Sequence, residues 1–178
     1  MNITKISAGR NPPHEINVVI ENPRGDGPVK YEFDTASGAI FVSRLLYTAM
    51  FYPADYGFIP NTLSRNGTPL DCLVMGQHPL IPGCVLPSRP IGALILEDER
   101  GPDQKILAVP VDKLHPYYEN IATYRDLRVD QIEKIEHFFS HYKDLEKNKW
   151  VRVKQWTGPE RAAELIREGI VRHEAQPH

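Results

Sequence analysis

Short runs in which every second residue is apolar fill the first two thirds of the chain, and a spacing of three to four residues replaces them in the last third. The first period marks strands with one buried face, the second amphipathic helices. Residues 16–21 read as a strand, stopped by Pro23 and the Gly25-Asp26-Gly27-Pro28 turn. Residues 29–34 alternate, with Val29, Tyr31 and Phe33 on one face and Lys30, Glu32 and Asp34 on the other. Ser37-Gly38 turns the chain into a strand over 39–45, where Ile40 and Val42 share a face with Arg44. Residues 53–69 read as loop and 70–75 as a strand. Residues 85–89 and 91–97 are β-like, joined or bent at Pro90. Gly101-Pro102 turns back into a strand over 105–109.

After Pro116 the period changes. Val129, Ile132, Ile135, Phe138, Phe139, Tyr142 and Leu145 predict a helix over 129–145, with Asp130 and Glu133 at capping-box spacing. Residues 150–156 alternate again. A last helix starts at Thr157-Gly158-Pro159-Glu160, where Thr and Glu have capping-box spacing, and carries an apolar stripe of Ala162, Leu165, Ile166 and Ile170. The pattern predicts an α+β chain, mainly β: a closed, short-stranded sheet with two C-terminal helices packed outside, as one domain over 1–178.

Composition narrows this further. Sixteen prolines, nearly all of them up to Pro116, keep the strands short and the loops stiff, because proline is excluded from helix interiors and central strands. A net charge of −2 gives no electrostatic case for nucleic acid or an anionic membrane surface. No apolar run is long enough for a membrane span, and no apolar stretch follows residues 1–5 as in a signal peptide. Two cysteines, Cys72 and Cys84, twelve positions apart, make neither a zinc site nor a disulfide framework, which points to a reducing, cytoplasmic setting. His137 and His141 lack the surroundings of a zinc motif.

Several residues could carry chemistry. Asp98 and Asp103 flank the Gly101-Pro102 turn, so both carboxylates can lie at one end of the sheet, as a solvated hairpin tip or as a hard-cation site with Lys105 beside it. Lys30 and Glu32 form a charged strand face. Arg44 ends a half-apolar row, where its planar fork suits a phosphate and where snorkelling to water explains it equally. Tyr142 and Lys143 close the long helix, Lys143 also suiting the helix C-terminus.

Several blocks together resemble the soluble, single-domain (family I) inorganic pyrophosphatases of bacterial type. They are Lys30-Tyr31-Glu32, the run from Thr48 through Tyr52-Pro53-Ala54-Asp55-Tyr56-Gly57, Asn66-Gly67-Thr68-Pro69-Leu70-Asp71, Asp98 to Lys105, and Phe138 to Glu146. The resemblance implies a five-stranded OB-like closed barrel with the active site in its mouth. It also implies hydrolysis of pyrophosphate to two phosphates, with Mg²⁺ held by carboxylates and activating the attacking water. Carried over, Asp71, Asp98 and Asp103 match metal ligands, with Asp71 bridging. Lys30, Arg44, Lys105, Tyr142 and Lys143 match phosphate contacts, Tyr56 a phenol beside the attacking water, and Glu21 and Glu32 acids of the outer shell. Bacterial members commonly form hexamers. The family pattern Asp-Gly-Asp-Pro-x-Asp is altered: Asn66 and Thr68 stand where its first two carboxylates belong, and only Asp71 survives. Asn66 can still offer an amide oxygen to a metal, but without charge, and the Thr68 hydroxyl is no base near neutral pH. Attenuated turnover follows, or, as the alternative, a catalytically impaired relative that binds pyrophosphate or metal.

Overall fold

The computed structural model describes residues 3–176. Of the first five residues, Met1 and Asn2 lie outside it. Eight strands and two α-helices form: β1 (Ile16–Asn22), β2 (Val29–Phe33), β3 (Ile40–Leu45), β4 (Asp55–Ile59), β5 (Leu70–Val74), β6 (Val85–Asp98), β7 (Gly101–Pro110), α1 (Val129–His141), β8 (Val151–Thr157) and α2 (Pro159–Glu174). The sheet order is β1-β4-β5-β7-β6-β8, and β1 also pairs with β6, so five strands close into a ring and β8 extends it from β6. This is the closed, mainly-β sheet with two helices that the residue pattern predicts, and its five-stranded ring is the one that the family resemblance implies.

The ring interior is built by alternation. Ile16, Val18 and Ile20 of β1, Ile59 of β4, Leu70, Cys72 and Val74 of β5, Ala93 of β6, and Ile106 and Ala108 of β7 form one buried cluster. Ala162, Leu165 and Ile166 of α2 join it. The opposite face of β4–β7 carries Tyr56, Leu73, Leu94, Leu96 and Leu107, which pack on Ile135, Phe138 and Phe139 of α1. Burying a large aliphatic or aromatic side chain contributes roughly 1.5–3 kcal/mol, so both helices are held by tertiary packing rather than by propensity.

Four expectations change. Residues 55–59, read as loop, are strand β4, buried at every position and paired with both β1 and β5. A strand covered on both faces shows no alternation. The two segments about Pro90 are joined, as expected, into one strand, β6, with a register shift between Pro90 and Gly92 that spares the missing N–H. The long helix stops at His141, with Tyr142 as its C-cap, and Leu145 is exposed. Its N-cap is Arg128, whose backbone N–H donates to Gln131 Oε1 at 3.3 Å, so the cap lies two residues before Asp130. At α2 the N-cap is Gly158 with Pro159 in the first turn, while Thr157 Oγ1 donates to Ala93 O at 3.2 Å instead of capping.

The β2–β3 hairpin stands apart as a two-stranded sheet. Its register pairs Lys30 with Arg44 but Tyr31 with Val42, leaving Ser43 as a bulge. Paired residues point to the same side, so the bulge turns Arg44 away from Ile40 and Val42 and onto the face of Lys30 and Glu32. Ile40 and Val42 stay exposed. The expectation that Arg44 ends their apolar row is therefore corrected by one inserted residue.

Candidate active site

The ladder of the ring places the charged residues. Asp71 on β5 pairs with Lys105 on the parallel strand β7. Asp103, two residues before Lys105, projects to the same side and lies opposite Leu96 of β6, whose face Asp98 shares. These residues lie on the Leu73, Leu96 and Leu107 side of the sheet, which faces α1. The β2–β3 hairpin and the segment after α1 supply the facing walls.

Two adjoining cavities of about 270 Å³ each lie there. Lys30, Glu32, Arg44, Tyr56, Asp71, Lys105, Tyr142 and Lys143, all anticipated from sequence, line the first. Glu21, Thr68 and Asp71 line the second, and Lys30, Glu32, Tyr56, Asp71 and Arg100 are common to both. Asn66 lines neither. Its backbone N–H donates to Ser64 Oγ at 3.2 Å.

Every principal cation is held by carboxylates. Lys105 Nζ bonds Asp71 and sits 2.7 Å from Asp103 Oδ2, with its side chain only 6% exposed. Burial pulls the lysine pKa down, but Asp71 and Asp103 outweigh it and hold the ammonium well above its ordinary range. Lys143 Nζ lies 2.8 Å from Asp98 Oδ2 and 3.2 Å from Glu99. Arg44 Nη1 lies 3.3 Å from Glu146 Oε2, its guanidinium 5.5 Å from the Tyr142 ring centre. Lys30 pairs with Glu32.

The expected trio Asp71, Asp98 and Asp103 does not converge. Among the described residues no three carboxylate, imidazole or thiolate groups meet closely enough to hold one metal ion. Asp71 and Asp103 share Lys105, while Asp98 lies about 7 Å further along the ladder and is taken by Lys143. They share one sheet face, but their oxygens are divided between two lysines.

Tyr56 is buried against Phe139, and burial, reinforced by Asp71, raises its pKa well above the ordinary phenol value. Its hydroxyl therefore stays a proton donor. Glu21 is buried, accepts the Phe33 N–H at 2.8 Å, and has its carboxyl pushed up to about 8, mainly by burial. Its folded-state pKa is above the unfolded value, so the native state binds more protons between pH 4.5 and about 8 and stability falls as pH rises through that window. Glu21→Gln should flatten that part of the stability profile in urea melts from pH 4 to 9. An unchanged slope would show that Glu21 titrates normally.

Sequence reasoning missed Tyr52, Glu99, Arg100, Glu146 and Lys149. Glu99 and Arg100 are the two residues of the β6–β7 hairpin loop, so the turn signal at Gly101 already placed them at the sheet end. Glu146 and Lys149 reach the site only because α1 ends early.

The chain is similar to known proteins. The family model described as inorganic pyrophosphatase matches residues 18–174. An inorganic pyrophosphatase of Caulobacter vibrioides is 53% identical, covering 97% of this chain and 98% of that protein. One from Rhodospirillum rubrum is 51% identical over 96% and 95% of the two chains. The crystal structure of the inorganic pyrophosphatase from Thermus thermophilus superposes with a TM-score of 0.93 at 41% identity, covering 98% of this chain and 100% of that one.

Proposed function

Because the chain belongs to the inorganic pyrophosphatase family, we propose that its paired cavities hydrolyse inorganic pyrophosphate to two phosphates, with Mg²⁺ as the metal. Members of this family work with a divalent metal. The observation that carries the reading is the ring of Lys30, Arg44, Lys105, Tyr142 and Lys143 around Asp71 and Tyr56 in one cavity.

The donor set fits a small hard cation. Two carboxylates, Asp71 and Asp103, aim oxygens at one point, now the Lys105 ammonium. Mg²⁺ is commonly bound by one or two carboxylates, with waters and substrate phosphates completing its shell. Asp71 and Asp103 would hold it, with Asp98 as a neighbouring ligand and Glu21 and Glu32 acting through water. Asn66 offers an amide oxygen at most. When bound, the cation supplies Lewis acidity and positive charge.

The chain's own residues do the rest. Arg44, with its fork, and Lys30, Lys105 and Lys143, as point charges, bind phosphate oxygens and neutralise charge as it moves to the leaving group. Glu146 orients Arg44, and Asp98 with Glu99 orients Lys143. The protonated phenol of Tyr56 donates to an oxygen beside Asp71. Phe138 and Phe139 form an apolar floor that limits water. The other reading of Asn66 and Thr68, a non-catalytic pyrophosphate binder, gains nothing from the curated relatives, which are named as pyrophosphatases.

Phosphate release from pyrophosphate across a Mg²⁺ titration tests the proposal. We expect metal-dependent turnover that is abolished by a chelator. Activity at the buffer blank throughout would reject it. No helix among the described residues is long and apolar enough to cross a membrane, and both cysteines are free thiols. A cytoplasmic setting is in keeping with these features. Exposed Phe41, Val42, Leu45 and Phe51 suit burial in a homo-oligomer, for which the family resemblance favours a hexamer. Light scattering gives the mass directly.

A further inference from the structure

Arg100 lines both cavities, and in the second it shares the wall with Thr68 and Asp71. The two-residue loop of the β6–β7 hairpin fixes its backbone. Asp98 pairs with Gly101, whose φ of +115° suits glycine, and the Arg100 N–H donates to Asp98 Oδ1 at 2.9 Å. The base of the side chain is thus set at the cavity edge. Its tip is loosely held. Nη2 lies 3.5 Å from Asp98 Oδ2, an oxygen that Lys143 already engages at 2.8 Å, and the side chain is 63% exposed. Lys105 and Lys143, by contrast, are buried in close ion pairs. Arg100 therefore combines a fixed base, a planar fork and the weakest anionic partner among these cations.

Negative charge is missing from the loop beside it: Thr68 lies on the second cavity's wall, and Asn66 is in the same loop but lines neither cavity. Position 68 carries a neutral hydroxyl where the family resemblance places a carboxylate, and position 66 an amide where it places another. A divalent ion loses its charge complement when carboxylates become neutral, and a polyanionic substrate then needs positive charge from elsewhere. We propose that Arg100 is a further substrate-contacting residue: its guanidinium grips a phosphate of pyrophosphate beside Thr68, so that this site takes pyrophosphate carrying fewer divalent ions than a site with carboxylates at 66 and 68 requires. The proposal rests on the pyrophosphate reading for its substrate, but not on hydrolysis.

Calorimetric titration of the full chain with pyrophosphate, in chelator and then in Mg²⁺, tests it without using turnover. The parent should bind pyrophosphate in chelator, and Arg100→Ala should weaken that binding about ten- to a hundredfold, as expected for losing charge-assisted hydrogen bonds. Arg100→Lys, which keeps the charge but not the fork, should stay weaker than the parent. Thr68→Asp should weaken binding in chelator and make it depend on added Mg²⁺. Equal binding by the parent and Arg100→Ala, or no binding by the parent in chelator, overturns the proposal. Arg100-dependent binding without hydrolysis would refute the hydrolase reading while upholding this one. Hydrolysis with binding indifferent to Arg100 would do the reverse.

Discussion

Restoring carboxylates by Asn66→Asp with Thr68→Asp should raise kcat for pyrophosphate about 10²-fold or more at neutral pH and saturating Mg²⁺, within the range a positioned general base contributes. The loop can accept the change. Its shape rests on backbone bonds, Ser64 N–H to Thr68 O at 2.7 Å and Gly67 N–H to Ser64 O at 3.2 Å, and Gly67 takes the positive φ of +81°. The Thr68 side chain is exposed, with Oγ1 3.4 Å from Ser64 Oγ, so a carboxylate there is solvated rather than stranded. It would stand on the cavity wall shared with Asp71. Two accompanying changes are expected: a lower half-saturating Mg²⁺ concentration, because ligand charge strengthens hard-cation binding, and a new acidic limb in the pH–rate profile, because the added base must be ionised. Thr68→Asn is the control for size without charge and should gain nothing. A double variant no faster than the parent would show that this chain activates water without carboxylates at 66 and 68.

Lys105→Met should destabilise the fold by about 3 kcal/mol at pH 7, the low end for removing one partner of a buried ion pair, since Asp71 is a quarter exposed. Methionine nearly keeps the volume, so the loss is electrostatic. Asp71 and Asp103 would remain close together with no ammonium between them. Like charges at short range raise carboxyl pKa values. In the variant these carboxyls then bind protons more readily folded than unfolded, so the deficit should shrink as pH falls towards about 4. Urea melts of parent and variant at pH 7 and pH 4.5 measure both effects. If Lys105 binds phosphate as proposed, the same substitution should lower kcat by about 10²-fold. A variant as stable as the parent at pH 7 would mean that the two carboxylates separate or protonate at little cost.

Much of the architecture was legible because it follows one-dimensional rules. Period-two runs located β1, β2, β5, β7 and β8 to within a few residues, and period 3.6 located both helices. What failed did so for definite reasons. Strand β4 is buried on both faces and lies in a proline-rich stretch, so neither alternation nor composition marks it. The end of α1 was overrun because apolar spacing continued to Leu145, yet that side chain is exposed and the chain turns away at Tyr142. The site was legible as a set of residue types through the family blocks. The turn signal placed Glu99 and Arg100 at the sheet end without giving them a role, and Glu146 and Lys149 have no local signal and matter only by proximity.

Sequence alone determined which side chains carry charge, which face of each regular strand is apolar, and that positions 66 and 68 lack the carboxylates of the family pattern. These are properties of residues and of their spacing. Tertiary structure decided who meets whom: that Asp71 and Asp103 share one ammonium while Asp98 goes to another, that a bulge at Ser43 swings Arg44 beside Lys30, and that a hairpin loop brings Arg100 into the cavity of Thr68. Electrostatic energy depends on distance and dielectric, and both are fixed only when β5, β6, β7 and the segment after α1 are packed together.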